Sequence, residues 1–167
     1  MKIDDNHMYH GAALIQIAES DKFTAINGLE VGSHKFENYY KINGNIAIYI
    51  KHCSEPRGKF DEYIFNFNQN HRSELEIIKK TGQKIFVVMV CVKDRQICCV
   101  DISTIEDLIS RRIRKNGGVE EDQYQIIVTA EPGRSLRAYI NSPAKKGKML
   151  GEAYVVRRNA FPDMIFE

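Results

Sequence analysis

Tyr39-Tyr40-Lys41-Ile42-Asn43-Gly44-Asn45-Ile46-Ala47-Ile48-Tyr49-Ile50-Lys51-His52 is the stretch on which the fold turns. Asn-Gly between two apolar runs is the strongest short-range hairpin signal, because both residues tolerate positive φ. It predicts strands over Tyr39 to Ile42 and Asn45 to His52. In the second strand, alternation sends Ile46, Ile48 and Ile50 to one face and Ala47, Tyr49 and Lys51 to the other.

Outward from this hairpin the periodicities continue. Tyr63, Phe65 and Phe67 alternate against Ile64, Asn66 and Asn68, which predicts a half-buried strand over Asp61 to Phe67. Lys84 to Val92 is a continuous apolar strand, covered on both faces. Lys93-Asp94-Arg95 turns it into an antiparallel partner, Gln96 to Ile102. Helices are predicted over about His7 to Ser20, capped by Asn6, and over Ser73 to Thr81, ended by Gly82. A third starts at a Ser103–Glu106 capping box and runs to Lys115, before Gly117-Gly118. Between Ser20 and Tyr39 the chain reads as irregular, broken by Gly28, Gly32 and Ser33. Beyond Gly118, a hairpin is expected around Glu131-Pro132-Gly133, then a basic loop over Ser142 to Lys148 and a last strand over Glu152 to Arg158. The fold class is α/β (α+β). A mixed β-sheet flanked by helices is expected over residues 1–118, with a β-rich C-terminal extension, residues 119–167, packed on the same domain.

A length of 167 residues, 43% hydrophobic and 28% charged, predicts one ordinary globular domain, with or without a small appendage. That composition excludes disordered, collagen-like and coiled-coil classes. The longest apolar run, Ile85 to Val92, has eight residues, well short of the ~18 that mark a membrane span. Met1-Lys2-Ile3-Asp4-Asp5 has no apolar leader character, so a cytoplasmic location is expected. The four cysteines show no paired zinc-ligand spacing, and Cys91, Cys98 and Cys99 lie within apolar runs, where thiols act as small hydrophobes. His52-Cys53 is an isolated pair with no third group to complete a nucleophilic site. Phosphate-loop, dinucleotide-binding, serine-hydrolase and zinc-protease motifs are all missing.

The net charge is only +2, but eleven bases against seven acids follow from Arg111 onward. They cluster as Arg111-Arg112-Arg114-Lys115, Arg134 with Arg137, Lys145-Lys146-Lys148, and Arg157-Arg158. Clumped cations either track a phosphate backbone or form a solvated face.

The order of elements — helix, strand, strand ending in lysine, aromatic strand, helix, buried strand — resembles the PD-(D/E)xK nuclease-like superfamily, its restriction-endonuclease-like and junction-resolvase-like members especially. The resemblance covers roughly His10 to Asp101. It rests on Gly11-Ala12-Ala13, Ile48-Tyr49-Ile50-Lys51, Tyr63-Ile64-Phe65-Asn66-Phe67 and Phe86-Val87-Val88-Met89-Val90. In that family carboxylates from neighbouring strands hold Mg²⁺, which stabilises the charge developing as water attacks a phosphodiester. A lysine two residues beyond one acid orients the water. The resemblance implies Lys51 as that lysine, Glu37 as first-strand acid and Glu19 as supporting acid, with Glu37 and Asp61 (or Glu62) ligating Mg²⁺. The departure is Tyr49, which stands where the family has Asp or Glu and is a poor Mg²⁺ ligand.

Three readings follow. The first is a Mg²⁺-dependent endonuclease, or a subunit of a DNA-processing or phage-defence system. The second is a catalytically inactive nuclease-like protein that binds DNA or RNA through the aromatic strand and Arg134, Arg137, Lys145, Lys146 and Lys148. The third is a protein-interaction module that pairs through an edge of its C-terminal hairpins, a homodimer being one form. Each residue also has a plainer role: Lys51 as a strand-end lysine reaching water, the acids as solvated side chains, and the aromatics as core.

Overall fold

The computed structural model describes all 167 residues. A helix, α1 (Asp5–Ala18), precedes a meander of β1 (Ile26–Val31), β2 (His34–Ile42) and β3 (Ile46–Cys53). Then come β4 (Glu62–Asn68), α2 (Gln69–Lys79), β5 (Lys84–Cys91), β6 (Gln96–Asp101) and α3 (Ile102–Lys115). The chain closes with β7 (Gln123–Thr129), β8 (Leu136–Tyr139), β9 (Tyr154–Val156) and a 3₁₀ turn, Asp163–Phe166.

The strands form two sheets instead of one. The first is five-stranded and mixed, in the order β1-β2-β3-β5-β6, with β3 and β5 parallel and the other pairs antiparallel. The second is antiparallel, in the order β4-β7-β8-β9. Alternation assigned the faces of β4 correctly, but its partner is β7, in unbroken register from Glu62↔Thr129 to Asn68↔Gln123. The free edge of β3 goes to β5, whose residues from Ile85 onward are all buried, so β4 and α2 form the crossover between two parallel strands. The residues after 118 therefore complete a sheet begun before them.

The two faces of the first sheet carry two cores. Ile46, Ile48 and Ile50 join Ala13 and Ile17 of α1, together with Phe161 and Ile165 from the chain's end. Ala47 and Tyr49 join the larger core, filled by Tyr63, Phe65 and Phe67 from β4, Tyr124, Ile126 and Val128 from β7, and the apolar stripes of α2 and α3. The aromatic strand is thus packing, unavailable for stacking on bases. Cys91, Cys98 and Cys99 are buried free thiols, and burial pushes the Cys98 thiol up to about 12.

Several boundaries differ from expectation. The irregular stretch after α1 is the β1–β2 hairpin, turned at Gly32-Ser33, with Gly32 at φ +61°. A register shift between Gly28 and Leu29, with Asn38 at φ +68°, destroys the alternation that would have revealed it. Asp4 caps α1 in place of Asn6, accepting from the His7 amide at 2.9 Å. Asn68 caps α2, which starts at Gln69, ahead of Ser73. Asp101 replaces the Ser103–Glu106 box on α3, accepting from the Ser103 amide at 2.8 Å, while Glu106 pairs with Lys79 at 2.9 Å. No helix is long and apolar enough to cross a membrane.

Candidate functional site

Lys51 points from β3 into the gap between the two sheets, and its surroundings are aromatic. Its Nζ donates to the Tyr49 hydroxyl at 3.2 Å and lies 5.0 Å from the ring centroids of both Tyr49 and Phe67. Tyr39, the cross-strand partner of Tyr49, stacks on it at 4.2 Å with the planes 7° apart. The Tyr39 hydroxyl is buried with no hydrogen-bond partner. His71 of α2 meets the Tyr49 ring edge at 6.0 Å. No carboxylate lies within ion-pair distance of Lys51. Burial lowers its pKa to about 8, against a smaller upward pull from Glu74. Burial also raises the Glu74 carboxyl, and burial together with the Lys51 charge lowers His71.

This arrangement makes Lys51 costly to fold when charged. Its folded pKa lies below the ordinary value of 10.5, so between about pH 8 and 10.5 the unfolded chain binds more protons and stability rises with pH. Lys51→Met, which keeps the stem and removes the amine, is expected to raise Tm at pH 7 by about 2–4 °C per kcal/mol recovered. The gain should shrink as pH approaches 10.5. A Tm at pH 7 unchanged or lowered would show the ammonium to be stabilising where it sits.

None of the acids expected around Lys51 pairs with it, although Glu37 acts electrostatically on Glu74, which in turn acts on Lys51. Glu37 lies exposed in the irregular part of β2. Glu19 caps the C-terminus of α1, the helix that covers the opposite face of the first sheet. Asp61 sits exposed at φ +50° just before β4, whose far end carries Phe67 beside Lys51. Six residues of strand separate them, about 20 Å. No group of three or more His, Cys, Asp or Glu side chains is arranged to hold a metal. Glu37, Glu19 and Asp61 therefore form no such group beside Lys51.

The predicted cations are also dispersed. Arg111 is tied to Asp107 at 2.7 Å and to the Glu152 carbonyl at 2.8 Å. Arg112 holds Glu121 through two bonds, at 2.6 and 2.9 Å. Lys145, Lys146 and Lys148 occupy the loop after β8, at the end of that strand opposite Arg134. Arg137 lies between, on the outward face of the second sheet, among Glu62, Glu131 and Glu152.

A different cationic assembly emerges at one end of the molecule. Four loops meet there: 54–61, 92–95, 130–135 and 157–159. They share two adjoining depressions, one lined by Lys59, Lys93 and Asp94, the other by Asp94, Arg134, Arg157 and Arg158. Together the loops carry seven bases (with Arg57 and Arg95) and four acids. Short bonds fix them. The Tyr63 hydroxyl donates to the Asp94 carboxylate at 2.5 Å and accepts from the Asp94 amide at 3.0 Å, pinning loop 92–95 to β4. Arg158 donates to the carbonyls of Arg134 and Glu131, each at 2.7 Å. Of the other six bases only Arg134 has a carboxylate partner, Glu131 at 3.5 Å. All six are exposed. Sequence reading caught Arg134 and the Arg157-Arg158 clump. Arg57, Lys59, Lys93 and Arg95 escaped it because each loop carries only one or two bases, and topology alone unites them.

Along the outward face of the second sheet runs a cleft of about 590 Å³, floored by β4, β7, β8 and β9 and walled by the loop that follows β8. It adjoins the cationic end through Phe60 and Glu131, which also line the nearer depression.

Comparison with protein-family models, with curated proteins and with solved structures returns no match to this chain.

Proposed function

We propose that this protein is a nuclease-like, catalytically inactive nucleic-acid-binding module that holds phosphates at the end formed by loops 54–61, 92–95, 130–135 and 157–159. The observation that carries this reading is the convergence of five bases from four separate loops, Lys59, Lys93, Arg134, Arg157 and Arg158, on two adjoining depressions, four of them exposed and only Arg134 paired with a carboxylate. Such a cluster neutralises a phosphate backbone by releasing condensed counterions.

The restriction-endonuclease-like part of the proposal has its own support. The elements on which the resemblance rests occur in that order, helix, strands, lysine-bearing strand, aromatic strand, helix and buried strand, and the buried strand pairs in parallel with the lysine-bearing one. Members of that class draw two carboxyls from neighbouring strands. Here Tyr49, on Lys51's own strand, stands where the family has an acid, and it stacks on Tyr39 of β2. A tyrosine in place of that acid, a poor Mg²⁺ ligand, favours binding over cleavage.

Binding to labelled duplex and single-stranded DNA and to RNA, measured from 50 to 300 mM salt, tests this directly. Log affinity is expected to fall linearly with log salt, with a slope of roughly −0.7 to −0.9 per phosphate neutralised. EDTA should leave affinity unchanged, and added Mg²⁺ should produce no cleavage. Mg²⁺-dependent cleavage that Lys51→Ala abolishes would restore the enzymatic reading. Absence of binding at 50 mM salt would leave protein partnering as the alternative.

A further inference from the structure

The cleft on the outward face of the second sheet differs in chemistry from the cationic end beside it. Across its floor, cross-strand pairing sets Glu62, Thr129, Arg137 and Val155 in one row. Glu62 and Arg137 are two strands apart, about 10 Å between backbones, with the small Thr129 as floor. They form no ion pair. The Glu62 carboxylate accepts from the Tyr139 hydroxyl, which orients it and leaves further lone pairs toward the cleft. Phe60, Met149 and Val155, three of the large apolar side chains left exposed on this protein, all rim the same cleft. Glu131 and Glu152 bring the carboxylates to three against one arginine. That charge repels phosphate and admits an uncharged ring bearing N–H donors.

We propose that this cleft receives an unpaired guanine base of a single-stranded nucleic acid whose phosphates lie on the adjoining cationic end. The inference rests on the nucleic-acid-binding reading above and adds base specificity to it. Guanine alone among the common bases presents two neighbouring donors, N1–H and the N2 amino group, to a single carboxylate. Its O6 and N7 form the acceptor pair that arginine reads in bidentate fashion. Glu62 faces the donors and Arg137 the acceptors. The exposed Phe60 ring lies where a splayed-out base stacks on the way in. Continuity of the cleft with the Lys59–Lys93 depression, through Phe60 and Glu131, gives the backbone its route.

The test uses the full chain and labelled eight-nucleotide strands that differ only at one central base: G, A, C, U, inosine or 7-deazaguanine. The G strand is expected to bind about tenfold more tightly than A, C or U, the scale of one good bidentate contact. Inosine, which lacks the N2 amino group, should lose most of that preference, and 7-deazaguanine, which lacks the N7 acceptor, part of it. Glu62→Gln should abolish the preference while the non-G strands keep their affinity. Arg137→Lys should reduce it. Salt-sensitive binding that ignores base identity would overturn the cleft assignment and leave the proposed function standing. Failure of every strand to bind at low salt would overturn both. Competition by free GMP as strong as that of the strand would assign the cleft to a mononucleotide and overturn the strand assignment.

Discussion

A variant carrying Lys93→Gln, Arg134→Gln and Arg157→Gln is expected to bind nucleic acid about a hundredfold more weakly than the parent at 0.1 M salt. The salt slope should flatten by roughly 2 to 3. Both figures follow from counterion release: each lost phosphate contact removes roughly 0.7 to 0.9 from the slope, and about the same from log affinity at 0.1 M relative to 1 M. The three residues come from three loops, so the effect tests convergence and no single local clump. All three are exposed, and only Arg134 has an ion-pair partner, an exposed one at 3.5 Å. Their replacement should therefore leave stability within about 0.5 kcal/mol of the parent. Arg158 is left alone because its guanidinium holds the carbonyls of Arg134 and Glu131, and losing it would loosen the loop as well as the charge. The control is Lys145→Gln with Lys146→Gln and Lys148→Gln, at the opposite end of β8. If that variant loses as much affinity as the first, the interface is the 142–148 loop and the cationic end is incidental.

What the sequence carried in its own periodicity was legible. Alternation in β3 separated the isoleucine face from the Tyr49–Lys51 face, and the two faces now belong to different cores. The β5–β6 and β7–β8 hairpins were readable for the same reason: each strand keeps step from end to end and each turn has its own chemistry. The β1–β2 hairpin was hidden because three residues, Glu37 to Tyr39, interrupt the register between Gly28↔Tyr40 and Leu29↔Phe36. Pattern names a strand's buried face but not its neighbour, which is why β4 was placed in the wrong sheet. The site suffered from the same limit. Tyr49, two residues away on the same face, is the one local sign of an aromatic environment for Lys51, because Phe67 and His71 are distant along the chain. The bases at the cationic end are diluted along the chain by the strands that bring them together.

Phe65→Ala and truncation after Gly118 are expected to have the largest effects on folding, and for a shared reason. Phe65 is 2% exposed in the larger core, which draws its side chains from both sheets and from α2 and α3. Removing such a ring costs about 3–5 kcal/mol in transfer and cavity terms, a large part of the ~5–15 kcal/mol that holds a typical domain together. Truncation goes further. Without β7, β4 keeps no paired strand beyond the short Arg57–Glu62 bridge, and Tyr63, Phe65 and Phe67 keep only the first sheet and the helices against them. The same cut removes Phe161 and Ile165 from beneath α1 on the opposite face. Residues 1–118 alone should therefore give a collapsed nuclear magnetic resonance spectrum and aggregate, with no native dispersion. The intact chain should unfold in one transition, superimposable by circular dichroism and by tyrosine fluorescence, since both sheets share one core. A well-dispersed spectrum from the 1–118 fragment, or two separated transitions in the whole protein, would show that the second sheet is an appendage the first can do without.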